Sequence, residues 1–240
     1  MACHFARLDG DVVRGPIYFL PWRTSFSLAR RAGLFPARDF AACYELADGF
    51  VSPEPAACAV HIGQVVGDAL RRARSNGAPS LVIGYSLGTV PATLLAGRLG
   101  ARLWSFASAD RGELMIWSSP ATRAIRSRAE LMGFSQDDFA AALRRLNPLD
   151  WIGEVHPDSR LVVGRFDHLV PRARSQPLVQ RARQCLFPGH VLELPLGHLG
   201  VLAASAWLQR QWMTDARPSF TWGRSIGTEM QPRPTRRVDG

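Results

Sequence analysis

The chain runs to 240 residues, 47% of them hydrophobic, with a formal net charge of +9. This length and apolar content predict one domain with a sizeable core and leave little room for a second, and no apolar run reaches the ~18 residues that a helical bilayer crossing needs. All 29 cations are arginine, and no zinc-ligand spacing, RNA-binding aromatic motif or glycine-lysine phosphate loop accompanies them, so the charge reads as composition and no nucleic-acid partner is expected.

In chain order, Pro16–Leu20 reads as a buried strand that runs into Pro21-Trp22-Arg23-Thr24-Ser25. Ser25–Leu34 carries a helical pattern, and residues between Arg38 and Ala47 hold the next strand despite poor alternation. Pro55–Asn76 is predicted as one helix, with Pro55 in its first turn, Ala57, Val60, Gln64, Val65 and Leu70 near helical spacing, and Asn76-Gly77 as the stop before Pro79. Leu81–Ile83 reads as a buried parallel strand and enters Gly84-Tyr85-Ser86-Leu87-Gly88. A helix follows over Leu87–Leu99, distorted slightly by Pro91 about one turn in, and then a strand over Arg102–Ala107.

Between Ala109 and Pro157 the chain departs from this alternation. Leu114–Trp117, Leu131, Met132, Phe134, Phe139, Leu143 and Trp151 supply large apolar groups, and Phe134-Ser135-Gln136-Asp137-Asp138 carries a helix-capping signal for a helix to about Leu146. Folded over the sheet rim, such a segment builds an apolar pocket; otherwise its aromatic residues anchor it to the core. Arg111, Arg123, Arg126 and Arg128 offer a grip for a substrate carboxylate or phosphate, or a solvated face. Arg160–Gly164 then reads as a buried strand with Asp167 just past its end, Pro177–Cys185 as a helix, and Val191–Pro195 as a strand with His198 in the loop beyond.

Ser86 is the residue to explain. A serine hydroxyl becomes a nucleophile when a sharp strand-to-helix turn exposes it and a base removes its proton, and glycines two before and two after let that turn pack against neighbouring backbone. The base needs an orienting carboxylate, and the loops after parallel strands share one rim, where Asp167 and His198 would converge on Ser86. Asp150 and Asp158 precede their strand and His190 precedes its own, which puts them toward the opposite rim. His168 fits no role beside Asp167, and His4, His61 and His156 read as ordinary surface or core residues.

The order Ser86, Asp167, His198, together with the segments Gly84–Gly88, Gly164–Pro171 and Leu194–Gly200, resembles the α/β-hydrolase superfamily. The resemblance implies an α/β fold, a mostly parallel central sheet flanked by helices, with a small helical insertion (about 110–157) before the acid-bearing strand. It implies a single domain over residues 1–213, a reduced or absent opening hairpin in residues 1–15, and a Ser86-His198-Asp167 triad without metal or organic cofactor. The Leu87 amide is the first expected oxyanion donor. Where many members carry His-Gly this chain has Pro21-Trp22, and since Pro21 has no N–H the Trp22 amide becomes the second, with Arg23 behind it. Tyr85, Trp117 and Phe134 are the expected pocket residues, and a small-molecule acyl substrate the expected partner.

The same triad serves an acyltransferase, a thioesterase, a perhydrolase or a lyase, and the unusual Pro21-Trp22 loop leaves room for a non-catalytic binding protein on this scaffold. The N-terminal Met1–Arg7 lacks the apolar stretch of a signal peptide, and Cys3, Cys43, Cys58 and Cys185 are too scattered for a disulfide framework or a metal site, so a cytoplasmic protein with reduced thiols is expected. From Thr214 to Gly240, five arginines stand among Pro, Gly and polar residues against three acids, which predicts a disordered basic tail.

Overall fold

A computed structural model describes residues 5–10, 15–35, 40–77 and 79–215. The expected tail lies almost wholly outside them. Among the described residues, seven strands form one sheet: β1 (Phe5–Asp9), β2 (Ile17–Phe19), β3 (Ala42–Leu46), β4 (Leu81–Tyr85), β5 (Arg102–Phe106), β6 (Arg160–Gly164) and β7 (Val191–Leu194). Their spatial order is β1-β3-β2-β4-β5-β6-β7. All pairs are parallel except β1 with β3, so among the described residues the first segment contributes one antiparallel edge strand.

Strand alternation sorts the core into two layers. On β4, Leu81, Ile83 and Tyr85 face one layer and Val82 the other. The first layer is closed by α1 (Phe26–Arg31) and α9 (His198–Asp215); the second by α2 (Pro55–Asn76), α3 (Thr89–Leu99) and α8 (Arg172–Cys185). Four short helices between β5 and β6, α4 (Gly112–Ser118), α5 (Arg123–Leu131), α6 (Gln136–Ala142) and α7 (Pro148–Trp151), extend the second layer against α2 and α3. No helix among the described residues is long and apolar enough to cross a membrane.

Helix α2 spans the predicted residues but turns a different face inward. Cys58, His61, Ile62, Val65, Val66, Ala69 and Ala73 are buried, at i, i+3, i+4 spacing, while Val60 is 53% exposed. Helix α6 starts where its capping box predicts, with Ser135 Oγ accepting from the Asp138 amide, and ends at Ala142, short of Leu146. Helix α8 begins five residues before Pro177, directly after Pro171. Pro177 lies in its second turn, where burial of Leu178, Val179 and Ala182 offsets the missing backbone donor.

Tyr85 belongs to the α1/α9 layer. Its ring is fully buried and stacks 5.5 Å from Phe106, its hydroxyl donates to the Leu34 carbonyl at 2.7 Å, and the Gln209 amide donates to it at 2.8 Å. Burial pushes the phenol well above its ordinary range, so it stays a neutral donor. Tyr85→Phe removes both bonds from a dry site and should lower unfolding stability by roughly 1–3 kcal/mol, read as a lower urea midpoint at unchanged slope.

Candidate active site

Ser86 sits at the carboxyl end of β4, in the middle of the sheet, with φ +50. Left-handed backbone is costly for a residue with a Cβ, and it is held here from several sides. A Cβ on Gly84 would lie 2.6 Å from the Ala92 Cβ and 2.8 Å from the Thr89 Cα, so only glycine lets β4 enter the turn this close to α3. The Thr89 hydroxyl donates to the Ser86 carbonyl at 2.6 Å, and the buried Ser108 hydroxyl donates to Thr89 Oγ1 at 3.0 Å. The elbow is thereby tied to the end of β5, where Ala107 also takes a positive φ of 59.

Asp167 and His198 reach Ser86 from the neighbouring strand ends. Asp167 is buried, and its Oδ1 accepts from the Leu169 and Val170 amides, both at 2.8 Å. Its other oxygen lies 2.7 Å from His198 Nδ1, and His198 Nε2 lies 2.9 Å from Ser86 Oγ. Because an ionised carboxylate only accepts, Nδ1 carries the imidazole proton, leaving Nε2 to accept from the serine hydroxyl. His198 is the first residue of α9 and not part of a loop, so the helix that packs on the sheet also fixes the ring. A Cβ on Gly164 would stand 2.5 Å from the Leu196 carbonyl and 3.0 Å from Val201; its absence lets the two loops close on each other.

The other titratable candidates lie elsewhere. Asp158 pairs with Arg102 and lies 3.8 Å from His190, before β6 and β7. His61 is buried beside the Phe50 carbonyl, His156 Nδ1 accepts from the Asp158 amide, and His168 is exposed. His4 lies outside the described residues. No group of three His, Cys, Asp or Glu side chains among the described residues is placed to hold a metal ion.

No protein-family model and no curated protein matches the sequence. Solved structures do. The chain is similar to TT1662 from Thermus thermophilus (TM-score 0.59, 16% identity, covering 88% of this chain and 92% of that one). It is also similar to the esterase domain of a Rhodothermus marinus protein (0.55, 14%, 90% and 99%), and to the enol-lactonase of Burkholderia xenovorans LB400 (0.51, 15%, 88% and 95%). The chain has the α/β-hydrolase fold.

Within this hydrolase fold, the β2 loop lies against the elbow because residue 88 lacks a side chain. A Cβ there would stand 2.4 Å from the Phe19 carbonyl and 2.5 Å from the Leu20 carbonyl. The loop brings Trp22 to the cavity in front of Ser86. The Trp22 indole donates to the Ala47 carbonyl at 3.1 Å, and the Arg23 guanidinium, paired with Asp48 at 2.7 Å, covers the ring at 4.4 Å. The Arg23 amide is committed to the Leu46 carbonyl at 2.9 Å. The Trp22 amide has no protein acceptor among the described residues. Leu87, in the first turn after the strand, carries an amide of the kind that helix starts leave without an intrahelical partner.

The cavity in front of Ser86 has a volume of about 250 Å³ and is lined by Trp22, Val90, Met115, Val170, Leu199 and Leu202, among others. Tyr85, Trp117 and Phe134 are not part of it. Tyr85 faces the opposite layer; Trp117 packs on the Phe139 ring, 5.1 Å away, and Phe134 against the same core cluster. Leu131 and Met132 turn outward. Of the insertion's large apolar residues named from sequence, Met115 is the one that reaches the cavity. The arginines of the insertion do not line it either, since Arg111 pairs with Glu113 and Arg126 with Glu130.

Sequence reasoning missed Thr89, Ser108 and Gly164. Gly164 carried a signal, a glycine ending the strand before the acid as Gly84 nearly ends the strand before the serine. Gly88→Ala should displace the β2 loop at a cost of about 1–3 kcal/mol, measured by denaturant unfolding, because the atoms it meets are backbone and have no rotamer to change.

Proposed function

We propose that this protein is a serine hydrolase that cleaves an ester-type acyl bond of an uncharged, apolar small molecule. The observation that carries the reading is the hydroxyl-imidazole-carboxylate chain, with links of 2.9 and 2.7 Å, opening into an apolar cavity. The esterase domain and the enol-lactonase named above support the choice of an ester-type bond.

Ser86 Oγ attacks the carbonyl carbon as His198 Nε2 takes its proton, and Asp167 holds the ring orientation and stabilises the imidazolium. Charge developing on the carbonyl oxygen is met by the Leu87 amide and the Trp22 amide, two donors fixed before the reaction begins. His198 then returns the proton to the leaving oxygen, which departs and leaves an acyl group on Ser86. Water activated by the same imidazole hydrolyses this acyl-enzyme and restores the serine. Nucleophile, base and oxyanion donors all come from the chain, so the reaction calls for no cofactor. A cytoplasmic setting belongs to this reading and rests on the scattered cysteines, of which Cys43, Cys58 and Cys185 are free.

The test is turnover of p-nitrophenyl butyrate by purified variants. Ser86→Ala should lower kcat by roughly 10⁴-fold or more, and Asp167→Asn by about 10⁴-fold through the wrong imidazole tautomer, with far-UV circular dichroism unchanged in both. Wild-type turnover in the Ser86→Ala protein contradicts the proposal.

A further inference from the structure

Next to the main cavity, and sharing wall residues with it, lies a smaller apolar annex of about 50 Å³ that is also lined by Phe50, Val51, Cys58 and Ile62. The two spaces share Leu87, Val90, Gly112, Met115 and Thr122 as lining residues. Among these, Met115 is the long, unbranched and adaptable side chain, and it is only partly buried on α4. It therefore stands as a movable partition between the chambers. Cys58, whose thiol burial pushes up to about 11, stays a neutral, small apolar group at the annex wall.

The chemistry at Ser86 decides which part of the substrate faces this partition. The leaving oxygen must receive its proton from His198 Nε2, so the leaving group lies on the side of the imidazole, where Leu199 and Leu202 follow His198 on α9 and line the same cavity. That side is open, since Leu199 is 76% exposed. The other substituent of the carbonyl points away from His198, and Val90, Met115 and Thr122 line both spaces.

On that side the Thr89 and Thr122 hydroxyls are spent on the fold. The single Thr122 hydroxyl proton has the Met115, Ile116 and Ser119 carbonyls within reach, Thr89 donates to the Ser86 carbonyl, and Ser119 Oγ accepts from the Ala121 amide. Among the described residues, no arginine or carboxylate lines either chamber. The side facing the acyl group thus offers surface contact and no charge partner.

We infer that the annex is the terminal subsite for an uncharged aliphatic acyl chain and that Met115 sets the chain length admitted. The inference rests on Ser86 being the nucleophile. An engineered cavity of ~150 Å³ takes up benzene, so about 250 Å³ holds on the order of ten heavy atoms and the annex about two more. The reactive carbonyl and part of the alcohol share the main chamber, which leaves room for an acyl chain of about six to eight carbons. The alcohol, on the open side, is weakly discriminated.

The experiment measures kcat/KM for p-nitrophenyl esters of increasing acyl length on the wild type, Met115→Ala and Met115→Phe, beside an alcohol series at constant acyl group. Each protein is also treated with a fluorophosphonate to report an intact nucleophile. In the wild type, kcat/KM should peak at about six to eight carbons. Met115→Ala should raise the ratio of decanoyl to butyryl turnover at least about tenfold by joining the chambers, and Met115→Phe should lower it. The alcohol series should not change. Three results overturn the inference: acyl profiles that superimpose in proteins whose serine is still labelled, a shift in the alcohol series instead of the acyl series, or wild-type preference for a charged acyl group. Absence of labelling in the wild type overturns the nucleophile assignment itself, and is distinguished from the others by that readout.

Discussion

The backbone of Ser86 is held where an L-residue resists going. A φ of +50 costs on the order of 1–3 kcal/mol, and the surrounding architecture supplies the restraint. Strand β4 is hydrogen-bonded on both sides, to β2 and β5, so the residue before the turn has no freedom to relax. Gly84 admits α3 against the strand, Gly88 admits the β2 loop against the turn, and the Ser108-Thr89 pair clamps the Ser86 carbonyl. These contacts also position the proposed chemistry. Through Gly88 the turn meets the loop that carries Trp22; through the sheet, the ends of β6 and β7 bring Asp167 and His198 to the same rim.

Much of this was legible in the sequence, and the reason is local. Ser86, Asp167 and His198 each follow a short apolar run, and a parallel sheet turns three such strand ends into one place. Pro55 and Asn76-Gly77 bound α2 as read, whereas Pro177 lies inside α8 and not at its start, and α6 ends at Ala142 short of Leu146. Tyr85 was misplaced although the cue was present: Leu81, Ile83 and Tyr85 alternate on one strand and share a face, which turns the ring away from the site its neighbour occupies. Trp117 and Phe134 failed for another reason. The insertion consists of helices too short for periodicity to say which face is inward, and the choice is made by tertiary contacts with α2 and α3. Met115 entered the cavity by the same route, as one apolar residue among several that looked alike.

Charge and cavity tell a consistent story about electrostatics. The chain carries a net charge of +9, yet among the described residues no arginine or carboxylate lines either chamber in front of Ser86. The described insertion arginines Arg111 and Arg126 are paired locally with acids on their own helices or turns. Two carboxyls near the chambers, Asp110 and Glu113, are buried, and burial pushes both above their ordinary range. A lining of this kind favours contact area over ion pairing. On the proposed reading, selectivity then depends on volume and shape, with Met115 as the adjustable wall.

The most direct test of the central claim, that this geometry activates Ser86, is covalent. Wild-type protein treated with a small organophosphate ester and analysed by intact mass and peptide mapping should gain a single phosphoryl group, on the peptide containing Ser86. The His198→Ala variant, which keeps the elbow but lacks the base, should remain unmodified over the same period. Equal modification of both proteins, or addition at another serine with Ser86 untouched, would contradict the account.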